Sequence, residues 1–422
     1  MDNLSRWLHR LLGGTLILSL LACDNTPAND RQNPAPAESG ETPRSFEQPL
    51  LADAVISDLT TAYIDQAIVA YRVAVASAEN LQEAVDRLLD APGEQTLVAA
   101  RQAWLQAHDD YAATSLHQYF LQALVSGNNS GLGIDLSLER LHYQLDHWPI
   151  LAGYIDYLDG YPDSGLVSDI TVPLSRESIS LQHGAFDLAE ALLGFHPVEF
   201  LLWGEVRPGA SGQRPYTDYM EDTELTAEQA AEGLQLTQMT SNRRRQLLDL
   251  VTVSLLQDVQ AMQQLWTRNR NTLRDMAEGL TGPRQLALLL DAMTAVVTEE
   301  LMVKSLSPLL NGDHESSLHS PYSQSSAAAV LAQLGGLEQA LMVAADAAVT
   351  LEVLLTELYP DFSQTFYQNF DAGKECLERL YASVNQSGDP EIAMTIEAEI
   401  VECINFMGNL TNTLELVKSQ FP

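Results

Sequence analysis

The chain runs to 422 residues and carries 57 acidic against 22 basic side chains, a formal charge of −35. A surface this acidic repels nucleic acid and anionic lipid headgroups, and no basic stripe interrupts it, so the folded part is expected to bind neither. The same field concentrates cations, which suits a metal-handling protein, although solubility alone accounts for it equally well.

At the N-terminus, Arg6 and Arg10 precede a short apolar run, Leu11 to Leu21, with Gly13-Gly14 inside it. The run falls short of the roughly 20 apolar residues that span a bilayer, and residues 1–22 read as a signal peptide. It closes Leu20-Leu21-Ala22-Cys23, which resembles a bacterial lipobox. That resemblance implies lipidation at Cys23 and a domain held by its lipid anchor in the bacterial cell envelope, facing the periplasm or the exterior; a plain secretory signal is the alternative. Residues 23–48 hold almost no large apolar side chain, cannot offset their ordering entropy by burial, and read as a disordered tether.

Beyond the tether nearly every long segment repeats its apolar residues at three and four, the period of a helix. The pattern predicts helices over Ile56–Leu89, Thr96–Leu124, Arg176–Leu193, Arg243–Arg268, Gln285–Leu310, Ala327–Leu358 and Ile392–Val417. Ser168 to Leu174 is the nearest approach to a strand and reads as an extended connector. The Gly/Pro-rich span Glu205 to Thr226 separates two helical halves, residues 49–220 and 221–422, so the expected fold class is all-α, two packed helical bundles. No G-x-G-x-x-G, Walker-type loop or G-x-S-x-G occurs, which removes the usual support for nucleotide-binding and serine-hydrolase functions. Cys376 and Cys403 are the cysteines left beyond Cys23. In an oxidising compartment they are expected to form a structural disulfide; joint metal ligation is the weaker alternative, since neither has a His or second Cys at ligand spacing.

The most informative segment is Gly194-Phe195-His196-Pro197-Val198-Glu199-Phe200-Leu201-Leu202-Trp203-Gly204. On a helix, His196 and Glu199 share one face and can share a metal ion or a proton. A plainer reading makes Asp187–Leu193 the end of one helix with Gly194 as its C-cap, Pro197 the start of the next, and Glu199 a first-turn carboxylate answering the helix dipole.

Together with Gly209, Arg214-Pro215 and Thr217-Asp218-Tyr219, this segment resembles the imelysin family, whose hallmark is G-x-H-x-x-E. Trp104 and Tyr111, Trp148-Pro149 with Ile155-Asp156-Tyr157, Arg243-Arg244, and His319-Ser320-Pro321-Tyr322-Ser323 follow the family order over roughly residues 50–420. Two positions depart from it: no Glu follows Tyr111 in Ala112 to His117, and Leu318 stands where an acidic residue usually precedes the late His. Asp313, His314 and Glu315 lie nearby as stand-ins.

The resemblance implies two bundle-like halves with the motif near their junction. It also implies a role in metal uptake or homeostasis, because the family includes iron-regulated and iron-transport-associated members. The expected metal ligands are His196, Glu199 and His319, holding a transition metal ion such as iron, copper or zinc, iron favoured. Asp156 and Asp218 are weaker candidates and read better as cap or turn residues; His183 reads as a surface or core imidazole, and Tyr322 and Trp203 as packing groups. An uptake-system protein is a possible partner. The family is also named for a metallopeptidase activity, but H-E-x-x-H is absent, and a purely structural motif in an interaction module is the third reading.

Overall fold

Helix α1 (Asp53–Asp90) opens the fold because Ile56, Leu59, Tyr63, Ile64, Ala67, Tyr71, Ala74, Ala78, Leu81, Val85 and Leu88 recur at helical spacing, and all of them are buried. The computed structural model describes residues 52–126, 134–205, 213–313, 318–345, 349–384 and 390–420. The expected signal peptide, Cys23 and the tether lie outside those residues, as do His314 and Glu315. After α1 come α2 (Glu94–Ala112), α3 (Ser115–Ser126), α4 (Ile134–Asp146), α5 (Ala152–Ile155), α6 (Arg176–Gln182), α7 (Phe195–Trp203), α8 (Ala227–Ala231) and α9 (Thr240–Glu278). The chain continues through α10 (Gly282–Ala295), a π-helical stretch (Val296–Leu306), α11 (Ser307–Leu310), α12 (Ser326–Leu341), α13 (Leu351–Leu358), α14 (Phe362–Val384) and α15 (Pro390–Lys418). The fold is all-α, and the described residues contain no strand beyond two isolated bridges. None of their helices is long and apolar enough to cross a membrane.

Helices α2 and α9 pack along α1, so α9, which follows the Gly/Pro-rich span, lies with the N-terminal helices. Helices α14 and α15 pair with each other and against α12 and the π-helical stretch. Helix α10 touches α1 and α3 as well as α15, and residues 48–422 form one compact unit with a continuous core. Cys376 on α14 and Cys403 on α15 are joined by a disulfide.

Three predicted helices are interrupted, each for a local reason. Thr96–Leu124 breaks at Ala113-Thr114, where the hydroxyls of Thr114 and Ser115 donate to the carbonyls of Tyr111 (2.6 Å) and Ala112 (2.7 Å). Gly336 of α12 presses on that break so closely that a Cβ would sit 2.4 Å from the Ala113 carbonyl oxygen. Arg176–Leu193 is helical only to Gln182, because Gly184 turns the chain at φ +63°. Residues 183–193 are therefore a loop, and Gly194 is the N-cap of α7 rather than the C-cap of a preceding helix. Ala327–Leu358 splits into α12 and α13 around the bridge between Ala344 and Thr350. Helices α4 and α14 complete the set: Leu138, Leu141 and Leu145 form the buried stripe of α4, and Phe362, Phe366, Phe370, Leu377 and Leu380 that of α14.

Ser168 to Leu174 forms turns rather than an extended connector. The Arg243 guanidinium holds it, donating to the carbonyls of Leu166 (2.8 Å), Val167 (2.9 Å), Asp169 (2.7 Å) and Val172 (3.0 Å).

Candidate metal centre

Helix α7 docks against the C-terminal end of α4 through Gly194. Its φ of +101° suits glycine, and a Cβ there would lie 2.3 Å from the Gln144 carbonyl oxygen and 2.5 Å from that of Leu145. This close approach delivers His196 to Asp146, the last residue of α4. Trp104 on α2 fixes the other side: its indole N–H donates to the Phe195 carbonyl (2.9 Å), and its ring stacks on His108, centroids 4.8 Å apart. His319 arrives on the segment leading into α12, pinned where the Ser320 N–H meets the Ser326 hydroxyl (2.9 Å).

Four ligand-type side chains converge as a result. One atom from each of His108, Asp146, His196 and His319 lies within 4.8 Å of the others. His108 Nε2 and His196 Nε2 are 3.1 and 3.2 Å from Asp146 Oδ1, and His319 Nε2 is 3.5 Å from Oδ2. Those separations are of the size expected between neighbouring ligands of one ion, about 3 Å for bonds of roughly 2.0–2.1 Å. His196 Nε2 is buried and, despite the nearby carboxylate, lies off the line of a hydrogen bond. A buried imidazole nitrogen that meets a carboxylate without a well-aligned hydrogen bond is poorly satisfied, and a cation between it and Asp146 would satisfy both. The donor set therefore fits a transition-metal ion: three imidazole nitrogens and a carboxylate oxygen suit iron(II), copper(II) or zinc.

Glu199 stands behind this set. Its Oε2 lies 3.2 Å from His196 Nδ1, the ring nitrogen facing away from Asp146, while Oε1 accepts from both the backbone N–H and the hydroxyl of Ser323, each at 2.7 Å. One fully buried carboxylate thus orients His196 and clamps the segment that carries His319. This is the carboxylate–histidine arrangement that fixes the tautomer of a metal-binding imidazole.

The electrostatics follow from that geometry. Burial opposes a charge on His196, but the carboxylates of Asp146 and Glu199 on either side of its ring outweigh it and raise its pKa to about 9. Burial also works against a charged Asp146, yet the three imidazoles around it hold its carboxyl well below the usual range. Burial pushes His319 down to about 3, leaving a neutral imidazole. Without a metal, a proton on His196 supplies the positive charge between two buried carboxylates.

The other candidates fall elsewhere. Asp156 is fully buried beneath two guanidiniums, with Arg214 Nη1 at 2.7 Å and Arg244 Nε at 2.6 Å from Oδ2. Asp218 accepts from the Tyr157 hydroxyl (2.7 Å) and pairs with Arg214 (3.2 Å). Both belong to one structural network and neither reaches the cluster. His183 Nδ1 accepts the N–H groups of Leu192 (3.0 Å) and Leu193 (3.2 Å), capping the loop before α7. Tyr322 packs against Trp148 and Phe200, and Trp203 edge-on against Trp104. Where the sequence departs from the family pattern, Ser115 caps a helix break and Leu318 packs on the core. His117 bonds the Tyr63 hydroxyl (2.9 Å) inside the first bundle.

The imelysin family model matches residues 67–413. The chain belongs to the imelysin family. No curated protein matches it. Among solved structures, a putative iron-regulated protein A precursor from Parabacteroides distasonis aligns over 90% of this chain and 97% of its own, with a TM-score of 0.58 and 17% identity. An imelysin-like protein from Psychrobacter arcticum aligns over 85% and 93%, with a TM-score of 0.51 and 16% identity. At these identities the likeness establishes a shared imelysin fold.

Proposed function

We propose that this imelysin-family chain binds one transition-metal ion through His108, Asp146, His196 and His319, with Glu199 as the group that orients His196. The observation that carries the reading is the convergence of three Nε2 atoms on one buried carboxylate while His196 Nε2 has no hydrogen bond. We further propose that the ion is iron and that the role is metal uptake or homeostasis in the cell envelope, with Cys23 as the lipid anchor. The fold that it shares with a solved protein named a putative iron-regulated protein A precursor supports iron over copper and zinc. The acidic surface supports cation capture, since it raises the local concentration of cations.

A peptidase reading finds less support. A zinc peptidase needs a carboxylate free to act as general base on a bound water. Glu199 has both oxygens engaged, by His196 and by Ser323.

Metal analysis by mass spectrometry of the purified protein, before and after loading with iron, copper and zinc, tests the proposal. One ion per chain, lost in His196→Ala and in Asp146→Asn while helical circular dichroism is retained, is the expected result. Absence of metal after loading would leave the cluster as architecture and favour an interaction module.

A further inference from the structure

We propose that the cavity beside the cluster seats a small carboxylate ligand that joins the metal, so that the chain holds its ion as a ternary complex with an oxygen-donor chelator. The inference deepens the metal reading and rests on it.

The cavity measures about 400 Å³, within the range of small-molecule sites. It meets the cluster through Asp146 and His319, whereas His108 and His196 do not line it. An ion held by three imidazoles and one carboxylate has about two further positions if it is octahedral, and the cavity is where an additional ligand has room.

The walls say what that ligand must be. With Nε2 on a metal, His319 carries its remaining proton on Nδ1, and that buried nitrogen has no acceptor. His142 Nδ1 is buried and likewise unpartnered. Lys304, about half exposed, brings an ammonium to the same cavity. Glu300, the other carboxylate there, is already engaged by the Tyr119 hydroxyl (2.5 Å) and by Lys304 Nζ (2.7 Å). Glu300, Lys304 and Ser305 all come from the π-helical stretch, where the Ser305 hydroxyl donates to the Glu300 carbonyl five residues back (2.8 Å). Such stretches are rare and concentrate at functional sites. Trp148, Pro149 and Val330 complete the wall with apolar surface. A ligand that accepts from imidazole and ammonium donors while offering oxygen to a metal is a carboxylate with at least two oxygen-bearing arms.

Cobalt(II) and malonate serve as probes, because the visible spectrum of cobalt reports its coordination. In the full-length protein loaded with cobalt, malonate is expected to shift that spectrum and to tighten cobalt binding about tenfold. Lys304→Met is expected to bind cobalt as the wild type does without malonate, and to lose most of the malonate effect. An unchanged spectrum, extraction of cobalt by malonate without a ternary spectrum, or a Lys304→Met response equal to the wild type would overturn the inference and leave the metal reading intact. Failure of the wild type to bind cobalt at all would overturn both.

Discussion

Two buried charged clusters adjoin α7, and they differ in what they leave unsatisfied. In the first, Asp156 receives Arg214, Arg244 and the Tyr157 backbone N–H, and the Tyr157 ring lies 4.5 and 5.1 Å from the two guanidinium carbons. Positive and negative groups meet there in ion pairs that tie residues 152–157 to α9 and to Arg214, whose Nε and Nη2 have no hydrogen bond but, as cationic donors, cannot hold a metal. In the second, three imidazoles crowd one carboxylate, His196 Nε2 has no hydrogen bond, and one face opens on a cavity. Burial of charge is common to both, so burial alone does not mark a site. Unsatisfied ligand atoms beside open volume do.

The comparison breaks most visibly at Asp156. Asp156→Asn leaves two buried guanidiniums without their carboxylate and should destabilise the fold by about 3–5 kcal/mol, read by thermal or denaturant unfolding. Whatever folds should still load metal at one ion per chain; loss of metal with unchanged stability would reverse the roles assigned to the two clusters.

Gly194→Ala should cost about 2–4 kcal/mol, because a Cβ collides with the α4 carbonyls at a positive φ. Since the same contact sets His196 against Asp146, metal affinity should fall with it. Normal affinity in a destabilised Gly194→Ala protein would show that the docking of α7 is not what positions the site.

His196→Ala and Glu199→Gln separate ligand from orienting group. Calorimetric titration should show binding abolished in the first and weakened about 10–100-fold in the second, the usual cost of losing a partner that orients a metal-binding histidine. Equal loss in both would make Glu199 a ligand, as the sequence alone suggested.

The smallest effect is on pH. With its pKa raised from 6.5 to about 9, His196 stabilises the metal-free fold fully below pH 6.5, and that contribution is lost as pH rises through 9. A metal must displace this proton, so affinity should rise up to tenfold per pH unit below about 9, with one proton released per ion. Affinity independent of pH between 7 and 8.5 would contradict a protonated His196 in the metal-free state.

Much of the architecture was legible in the residues, because stripes such as Ile56–Leu59–Tyr63–Tyr71 demand a helix and a partner. The breaks were less so: Thr114 and Ser115 divert the backbone inside an Ala/Leu pattern that otherwise reads as continuous, and Gly184 does the same after α6. For the site, His196, Glu199 and His319 stood out by motif, and the structure brings all three together. Their division of labour was not visible, because spacing cannot say which face of an imidazole a carboxylate meets. His108 and Asp146 gave little local signal. His108 is one of many polar residues on an amphipathic helix, and Asp146 ends a helix whose Leu138–Leu141–Leu145 stripe is short. The approach of Gly194 to α4, and of Phe195 to Trp104 on α2, makes them neighbours of His196, and both are tertiary facts.

The most direct test of the central claim is anomalous diffraction at the absorption edge of iron from a crystal of the loaded protein. One strong peak within bonding distance of His108 Nε2, Asp146, His196 Nε2 and His319 Nε2, with Glu199 outside bonding range, is the result the account predicts. No peak at this cluster, or one bonded to Glu199 in place of His108 and Asp146, would contradict it.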